Sequence, residues 1–429
     1  METPAVRPRR LGLTTLGRFG VVLLLVAVTC FSFAVGVISY RQQAPPYTWV
    51  KSLARSVVLP PKEAESVELR AERSLDRLST LGYLAARPAD RPDERGVLTH
   101  QQTKTFQGLN FYNETKRSAA RLIDMSGDVL HEWNYKHLYG QWHHAELLPD
   151  GDVIVVMGRT GIARINLDSE LEWFHKARAH HALWVHDDGD IYFLETKSEV
   201  LPQIHPTLPV EYDEVVVLGP DGAVRDRFSL LDSMQRSAYA GLQPRVSYWS
   251  ATGRESTAID LMHSNQIEVF DGELSHLSPL FGRGNMLVSI RNFNALVILD
   301  AESRDVIWAW GPNNLIRQHH PSLLKDGTIL VFDNGISQSR VLQLDPTAMT
   351  VTWLYENGEQ FFSNWGGSCQ RLPNGNTLIT ETDGGRVFEV GRDGEVVWEF
   401  VNPEVSLPGE RTNVWRMTRF ERDELTFVD

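Results

Sequence analysis

The feature that most constrains this chain is a repeated unit. In each copy an Asp-containing turn leads into a short apolar strand that ends in a large aromatic residue. The unit occurs six times, starting at Asp124, Asp168, Asp221, Asp300, Asp345 and Asp393 and ending in Trp133, Trp173, Phe228, Trp308, Trp353 and Trp398. Self-similarity of this kind is typical of repeat architectures, in which one supersecondary unit recurs.

A second unit alternates with the first: a polar cluster, a short strand, a turn that ends in Gly, and an apolar strand. Its clearest copies cover residues 143–151, 180–189, 263–272, 319–327 and 367–375. The Asp-Gly and Asn-Gly turns suit tight hairpins. Two hairpins per repeat, six times over, predict an all-β, six-bladed β-propeller of four-stranded blades. Two packed open sheets are the alternative, but they do not explain six equal units. Residues 233–260 read as an insertion in blade 3.

The N-terminal part of the chain differs from the rest. Residues 19–40 form an uncharged, mostly apolar run, long enough to cross a bilayer as a helix. Arg7, Arg9, Arg10 and Arg18 precede it, so the positive-inside rule places residues 1–18 in the cytoplasm. We therefore expect a single-pass protein of the cell inner membrane with its main domain in the periplasm or otherwise outside the cytoplasm. A cleaved signal peptide is the competing interpretation.

Residues 41–100 read as a stalk with a helical segment at 62–84, or alternatively as a packed N-terminal helix. The propeller is then expected over residues 101–429. The net charge of −13 argues against nucleic acid as a partner, because nucleic-acid binding needs a basic surface. Cys30 and Cys369 are the only cysteines, so a disulfide framework is not expected. A homodimer is left open.

Histidines recur at one position of the second unit. The residues in this register are His143, His144, His180, His181, His263, Asn265, His319 and His320, with Ser368 in the last blade. The innermost strand of each blade lines the central channel, so we expect these side chains to converge on one axial site. The recurring histidines also have a structural explanation: each could form the same hydrogen bond in its turn, copied when the unit was repeated. Three convergent imidazoles could also hold zinc, although no carboxylate lies in the register.

Arg291 follows a predicted strand close to this register. Beside imidazoles and an amide, its guanidinium would provide a planar fork of donors for an oxyanion. Such a set suits a tetrahedral anion such as sulfate or phosphate, and it would also repel a metal cation. A neutral histidine can act as a nucleophile or as a proton carrier near pH 7.

Three blocks carry a family resemblance. They are residues 318–335, with Gln-His at the start and Phe-Asp-Asn-Gly at the end, residues 263–265 followed by Arg291, and residues 367–378. Over about residues 100–420 the chain resembles the arylsulfotransferase family. The resemblance implies a six-bladed propeller that moves a sulfuryl group from an aryl sulfate to a phenol without a nucleotide donor.

By this resemblance His319 corresponds to the histidine that becomes transiently sulfated, and His263, Asn265 and Arg291 hold the sulfuryl oxygens. One more histidine is expected from an early blade, either His180 or His181, with His143 as a further candidate. Ser368 is a candidate substrate contact in the last blade. Because His320 follows His319, the identity of the nucleophile stays open between the two.

The implied reaction has two steps. A histidine attacks sulfur, a neighbouring imidazole protonates the leaving phenolate, and a phenol then reverses the transfer. No G-x-x-x-x-G-K-[ST] loop is present, which agrees with a donor that carries its own activated sulfate and needs no nucleotide. No cofactor and no metal is expected. The expected partners are an aryl sulfate and a phenolic acceptor. Two alternatives remain: a non-catalytic propeller that binds an anionic or carbohydrate ligand, and a metal-dependent propeller lyase or hydrolase.

Overall fold

The computed structural model describes residues 86–88, 93–114, 118–135, 141–242, 258–407 and 410–428. In these residues the strands form six sheets of four or five strands and one small sheet of three, and all pairs but one are antiparallel. First strands of successive sheets lie side by side, and the second strand of each sheet contacts the first strand of the next. The predicted six-bladed β-propeller is therefore confirmed.

The strands in chain order are β1 (Ala86–Pro88), β2 (Gly96–His100), β3 (Leu109–Glu114), β4 (Ala119–Ile123), β5 (Val129–Asn134), β6 (Trp142–Leu147), β7 (Val153–Met157), β8 (Gly161–Ile165), β9 (Leu171–Lys176), β10 (Ala179–Val185), β11 (Ile191–Val200), β12 (Pro209–Leu218), β13 (Val224–Ser229), β14 (Ile259–Asp260) and β15 (Ser264–Val269). They continue as β16 (Met286–Ile290), β17 (Ala295–Leu299), β18 (Val306–Trp310), β19 (His319–Leu323), β20 (Ile329–Asp333), β21 (Arg340–Asp345), β22 (Thr350–Glu356), β23 (Ser368–Arg371), β24 (Thr377–Glu381), β25 (Arg386–Val390), β26 (Val396–Val401), β27 (Val405–Leu407), β28 (Glu410–Thr412) and β29 (Arg416–Phe420). The helix α1 covers Leu230–Arg236, and single 3-10 turns lie at Pro279–Phe281, Arg291–Phe293, Gly358–Gln360 and Arg422–Glu424.

From the channel outward, blade 1 is β29-β3-β4-β5, blade 2 is β6 to β9, and blade 3 is β10 to β13. Blade 4 is β15 to β18, blade 5 is β19 to β22, and blade 6 is β23 to β26 with β2 added outside. The ring is closed in blade 1, where the C-terminal strand β29 pairs with β3. The five copies of the second repeated unit supply the inner strands of blades 2 to 6. In blade 1 the C-terminal strand β29 takes this place.

The recurring aromatic residues fasten each blade to the next. The indole N–H groups of Trp133, Trp173, Trp308, Trp353 and Trp398 donate to the carbonyls of Gly151, Pro220, Pro346, Arg392 and Met125, at 2.9, 3.0, 2.9, 3.5 and 3.0 Å. Each acceptor lies in a turn of the following blade: the inner turn between β6 and β7 for Gly151, and the outer turn for the other four. In blade 3 the guanidinium of Arg304 lies 4.9 Å from the ring of Phe228 instead. Six apolar clusters fill the spaces between neighbouring blades.

Blade 3 carries an elaboration at the channel mouth. Strands β11 and β12 pair over ten residues each and extend beyond the start of β10. After β13 come α1 and then β14, which pairs in parallel with β12. The predicted insertion at 233–260 thus begins within α1 and ends at β14, and its residues 243–257 lie outside the described part.

The predicted boundary of the propeller at residue 101 is too late. Gly96–His100 forms the outermost strand of blade 6, because it pairs with β26, and Ala86–Pro88 pairs with β28. The proposed anchor at 19–40 and the helical segment at 62–84 lie outside the described residues. Within the described part of the chain, no helix has the length and apolar character needed to cross a bilayer.

Candidate active site

The inner strands of blades 2 to 5 each contain a β-bulge near their start. The register slips between Trp142 and His144, His180 and Leu183, Ser264 and Gln266, and His319 and Ser322. A bulge leaves an extra residue unpaired and redirects its side chain. His181, His263 and His320, in or beside these bulges, have positive φ, which is uncommon for a residue with a side chain. Four neighbouring blades therefore share one irregularity at the channel mouth.

Histidines from four blades meet there. The ring of His181 lies 4.7 Å from that of His263, 5.1 Å from that of His180 and 6.5 Å from that of His143, measured between centroids. Burial, followed by the neighbouring rings of His263, His180, His143 and His319, holds the pKa of His181 well below its usual value. We call His143, His180, His181, His263 and His319 the upper histidine cluster. It is a group of crowded imidazoles, and His181 is neutral at pH 7.

A carboxylate supports His180 from behind. Nε2 of His180 lies 3.0 Å from Oδ1 of Asp213, and its Nδ1 lies 2.8 Å from Nδ1 of His181. The other oxygen of Asp213 accepts the backbone N–H of Ser264 at 2.7 Å. Asp213 is buried and comes from the extended part of β12. It thereby links the inner strands of blades 3 and 4.

A second carboxylate supports His263. The Nδ1 atom of His263 is hydrogen-bonded to Oδ2 of Asp260, at the end of β14. Burial would raise the pKa of the Asp260 carboxyl, but His263 and Arg291 outweigh burial and lower it. Asn292 donates to the Asp260 carbonyl at 2.8 Å, which fixes the segment. Asp260 is therefore ionised and gives His263 a defined orientation.

Two guanidinium groups lie close together beside the cluster. Arg291 is buried and donates to the side chain of Asn292 at 3.1 Å. Burial and then the charge of Arg317 lower its pKa to about 10. Within the described residues neither Arg291 nor Arg317 forms an ion pair with a carboxylate. Two positive charges with no carboxylate in contact favour binding of an anion.

The tautomer of His319 is set by Asn334. The amide nitrogen of Asn334 donates to the carbonyls of Ser363 and Gly366 at 2.7 and 2.8 Å, so the amide oxygen must face His319. That oxygen lies 2.6 Å from Nδ1 of His319, which must carry the hydrogen. Nε2 of His319 consequently holds a lone pair, and it is buried with no hydrogen-bond partner in the described residues. Burial and then Arg291 lower the pKa of His319 to about 3.

A deeper layer closes the channel beneath this cluster. Arg416, in the inner strand of blade 1, donates to Oε1 of Gln266 in blade 4 at 2.7 Å. These blades face each other, so the contact crosses the channel. Nη1 of Arg416 also lies 3.4 Å from Nε2 of His144, which is 3.1 Å from the carboxylate of Glu146. Nδ1 of His320 contacts the carbonyl of Cys369 at 3.0 Å. His144 and His320 thus belong to this deeper layer.

The other predicted residues lie around the same mouth. Asn265 uses one amide hydrogen on the carbonyl of Gln318, at 2.8 Å, which leaves one for a ligand. Ser368 is buried at the start of β23. His143 stacks on Trp415 with ring centroids 5.7 Å apart. A Cβ on Gly158 would come within 2.4 Å of the His143 ring, so this packing requires glycine.

Sequence reasoning missed five contributors: Asp213, Asp260, Arg317, Asn334 and Arg416. Asn334 lies in the Phe-Asp-Asn-Gly block and could have been found there. Asp213 and Asp260 lie in the elaboration of blade 3, which has no counterpart in the described residues of the other blades. Arg416 would have required the knowledge that the C-terminal strand is the inner strand of blade 1.

Metal-ligand geometry occurs elsewhere. In the described part of the chain, the group with ligand atoms close enough for a metal ion is His186, Asp187 and Asp188. This group lies in the turn between β10 and β11, at the opposite end of β10 from His180. Asp187 is moreover paired with Arg283 at 3.1 Å. Within the described residues of the upper histidine cluster, no three ligand atoms lie this close together.

Comparison with solved structures gives distant likenesses only. A protein from Bacteroides caccae is 12% identical over 73% of this chain and 98% of its own, with a TM-score of 0.49. The virginiamycin B lyase of Staphylococcus aureus is 11% identical over 72% of this chain and 89% of its own, with a TM-score of 0.41. Likenesses of this strength say nothing about activity. No curated protein sequence matches the chain.

The model of the family described as arylsulfotransferase (ASST) matches residues 125–403. The match runs from the outer hairpin of blade 1 to the end of blade 6, and it includes His319, Asn334, Arg291 and Arg317. It covers well over half of the sequence, and the predicted resemblance is confirmed. The chain belongs to the arylsulfotransferase family.

Proposed function

We propose that this protein moves a sulfuryl group from an aryl sulfate to a phenol through a sulfated His319. The carrying observation is the state of the His319 ring. Its Nδ1 hydrogen is held by Asn334, its Nε2 lone pair has no partner in the described residues, and its low pKa keeps it neutral. A buried, neutral, oriented imidazole is the state that a nucleophilic histidine needs.

The surrounding charge suits the group transferred. Sulfuryl transfer keeps its negative charge on the equatorial oxygens of sulfur, which positioned donors stabilise. Arg291 with Arg317 and the free amide hydrogen of Asn265 are the donors on hand, and His263 lies beside them with its Nδ1 hydrogen bound to Asp260. Removing one such donor typically costs about 3 kcal/mol of barrier, so Arg291→Leu should lower turnover roughly 100-fold or more.

The reaction then balances in two steps. In the first, the Nε2 lone pair of His319 forms a bond to sulfur while the bond between sulfur and the aryl oxygen breaks, and the phenolate leaves with the electron pair. In the second, the acceptor oxygen bonds to sulfur, and the pair of the N–S bond returns to Nε2. The acceptor's proton must pass to a neutral base, and the imidazoles of the upper histidine cluster are candidates.

His319 rather than His320 is supported as the nucleophile. Arg291 and His263 act electrostatically on His319, whereas Arg416 and His144 of the deeper layer act on His320. A donor bound between Arg291 and the upper histidine cluster would therefore meet His319.

The test is to treat the protein with a chromogenic aryl sulfate, with and without a phenol acceptor. We expect a burst of phenol release without acceptor, a mass increase of one sulfuryl group on His319, and steady release with acceptor. His319→Ala should abolish all three, whereas His276→Ala, on an exposed turn, should change none.

Absence of both release and adduct in wild-type protein, across several aryl sulfates, would favour a propeller that only binds an anionic or carbohydrate ligand. Release that requires an added divalent metal would favour the lyase or hydrolase alternative. An adduct located on His320 would correct the assignment of the nucleophile.

A further inference from the structure

Asp213 has no role in the two steps above, yet it is tightly placed. It is 3% exposed, and both of its oxygens are used, one by Nε2 of His180 and the other by the backbone N–H of Ser264. If Asp213 bound only the N–H of Ser264, a purely structural role would explain it. The bond to His180 starts a chain that ends in the site, because Nδ1 of His180 meets Nδ1 of His181.

We propose that Asp213 is a positioning residue that fixes the hydrogens on His180 and His181, so that Nε2 of His181 accepts the proton of the phenol acceptor. This inference rests on the proposed function. It assigns the proton acceptor to one atom and adds a carboxylate that lies outside the histidine register.

The assignment follows from donors and acceptors. A carboxylate only accepts, so Nε2 of His180 must carry a hydrogen. In a neutral ring Nδ1 of His180 then has a lone pair and accepts from Nδ1 of His181, at 2.8 Å. Nδ1 of His181 therefore carries the hydrogen of that ring, and its Nε2 is left with a lone pair. Without Asp213 both rings could equally adopt the opposite tautomers.

The same chain can move a charge away from the sulfuryl group. When Nε2 of His181 takes the acceptor's proton, Nδ1 of His181 can release its hydrogen to Nδ1 of His180. The positive charge then lies on His180, directly beside the carboxylate of Asp213. The proton returns to solvent after the sulfated product leaves, so the overall reaction yields a phenolate, a new aryl sulfate and one proton.

Several charged or titratable groups surround this chain. His181 faces His143 of blade 2, His263 of blade 4 and His319 of blade 5, and the charge of Asp260 interacts with His180. Arg159 acts on His143. The imidazoles and guanidinium disfavour an added positive charge at the mouth, so a route that transfers this charge to Asp213 assists the base.

Asp213→Asn tests the proposal with little change in shape. The N–H of Ser264 still requires an oxygen, so the new amide must turn its nitrogen toward His180. That nitrogen donates to Nε2 of His180, which forces both rings into the opposite tautomers and puts a hydrogen on Nε2 of His181. We expect His319 to be sulfated at a rate within about threefold of wild type, while transfer to un-ionised phenols falls roughly 100-fold or more.

The acceptor supplies a readout that a structural role would not move. A phenol that is already ionised at the assay pH needs no base, so the defect of Asp213→Asn should nearly disappear with acidic phenols. Asp213→Glu should restore part of the transfer to weakly acidic phenols. Glu195→Gln, which changes a buried carboxylate in the same blade bonded to Arg227 and Lys197, should leave both half-reactions unchanged.

The outcomes separate the two proposals. If wild-type protein forms no adduct, the proposed function fails. If the adduct forms and Asp213→Asn transfers equally well to weak and acidic phenols, the role of Asp213 is refuted. Should Asp213→Asn unfold, His181→Gln provides the same comparison, since it must show the same dependence on phenol acidity if Nε2 of His181 is the base.

Discussion

At the scale of single residues, the site depends on which ring nitrogen carries a hydrogen. The histidine register predicted where the imidazoles lie, because a repeat brings equivalent positions to one axis. It could not predict tautomers, which are set by Asn334 and Asp213, two residues outside the register. Asn334 is fixed by its two donations to carbonyls and therefore presents its oxygen to the ring, and Asp213, a carboxylate held by the N–H of Ser264, can only accept.

The pKa of His319 gives a prediction for the first half-reaction. A pKa lowered to about 3 means that the ring is neutral, and able to attack, at every pH above that value. The burst rate of wild-type protein should therefore be flat from pH 8 to about pH 5 and fall only near the pKa. Asn334→Asp places a carboxylate beside Nδ1, which stabilises the imidazolium and should move this limb up by at least about one pH unit.

The variant also loses two donors, to the carbonyls of Ser363 and Gly366, so some stability will be lost. Asn376→Asp is the matched control, because the amide nitrogen of Asn376 in blade 6 also donates twice, to the backbone carbonyl of Lys104 and to the carboxylate of Glu389. Stopped-flow bursts across pH would compare the variants. If the burst rate of Asn334→Asp falls at the same pH as that of wild type, the contact between Asn334 and Nδ1 of His319 is contradicted.

At the scale of elements, the repeated aromatic residue is explained by the hydrogen bond it makes to the next blade. Trp398 is the strongest case, because it is fully buried and joins blade 6 to blade 1, where the ring closes. We expect Trp398→Phe to destabilise the protein by about 1–3 kcal/mol, since the Met125 carbonyl loses its donor and a small void forms.

Trp173→Phe is the comparison for this prediction. Trp173 makes the same kind of bond, to Pro220 at 3.0 Å, but it is partly exposed and water can replace the indole. Its loss should cost less than about 1 kcal/mol. Denaturant midpoints would measure both. If both variants lose the same free energy of unfolding, the buried hydrogen bond between blades 6 and 1 contributes no more to stability than the exposed one.

The elements also show how far the sequence could lead. Six turn-to-aromatic units predicted six blades, because the turn and the aromatic residue that contacts the next blade are both local features of each unit. The strands that complete blades 1 and 6, β29 and β2, pair with partners distant in sequence, and no local pattern marks such pairing. Asp213 and Asp260 were missed for a related reason, since the elaboration that carries them is seen in blade 3 alone among the residues the structure describes.

At the scale of the whole molecule, a channel lined with buried neutral imidazoles links activity to pH stability. Burial is the main cause that lowers the pKa of His143 and His144 to about 4 and that of His319 to about 3, and it holds those of His181 and His320 well below the usual value. As the pH falls below about 6.5, these rings bind protons in the unfolded chain but not in the folded protein. Their contribution to the free energy of unfolding should therefore be complete above about pH 6.5 and decrease below it.

Glu268 in the channel acts in the opposite direction. Burial raises its pKa to about 8, so the folded protein retains a proton that the unfolded chain releases above about pH 4.5. Its contribution is complete below that pH and lost as the pH rises toward 8. Five histidines outweigh one glutamate on the acid side, and each can contribute a slope of up to about 1.4 kcal/mol per pH unit. We expect maximal stability near pH 6.5–7.

Melting temperatures between pH 4.5 and 8.5 would show this curve, with a steep acid limb and a shallower alkaline one. Glu268→Gln keeps an acceptor for the backbone N–H of Leu323, which Glu268 binds at 3.0 Å, and removes the titration. The variant should therefore lose the decline above pH 7 and keep the acid limb. A steep acid limb that disappears in Glu268→Gln, or no acid limb in wild type, would mean that the buried imidazoles are not what limits stability.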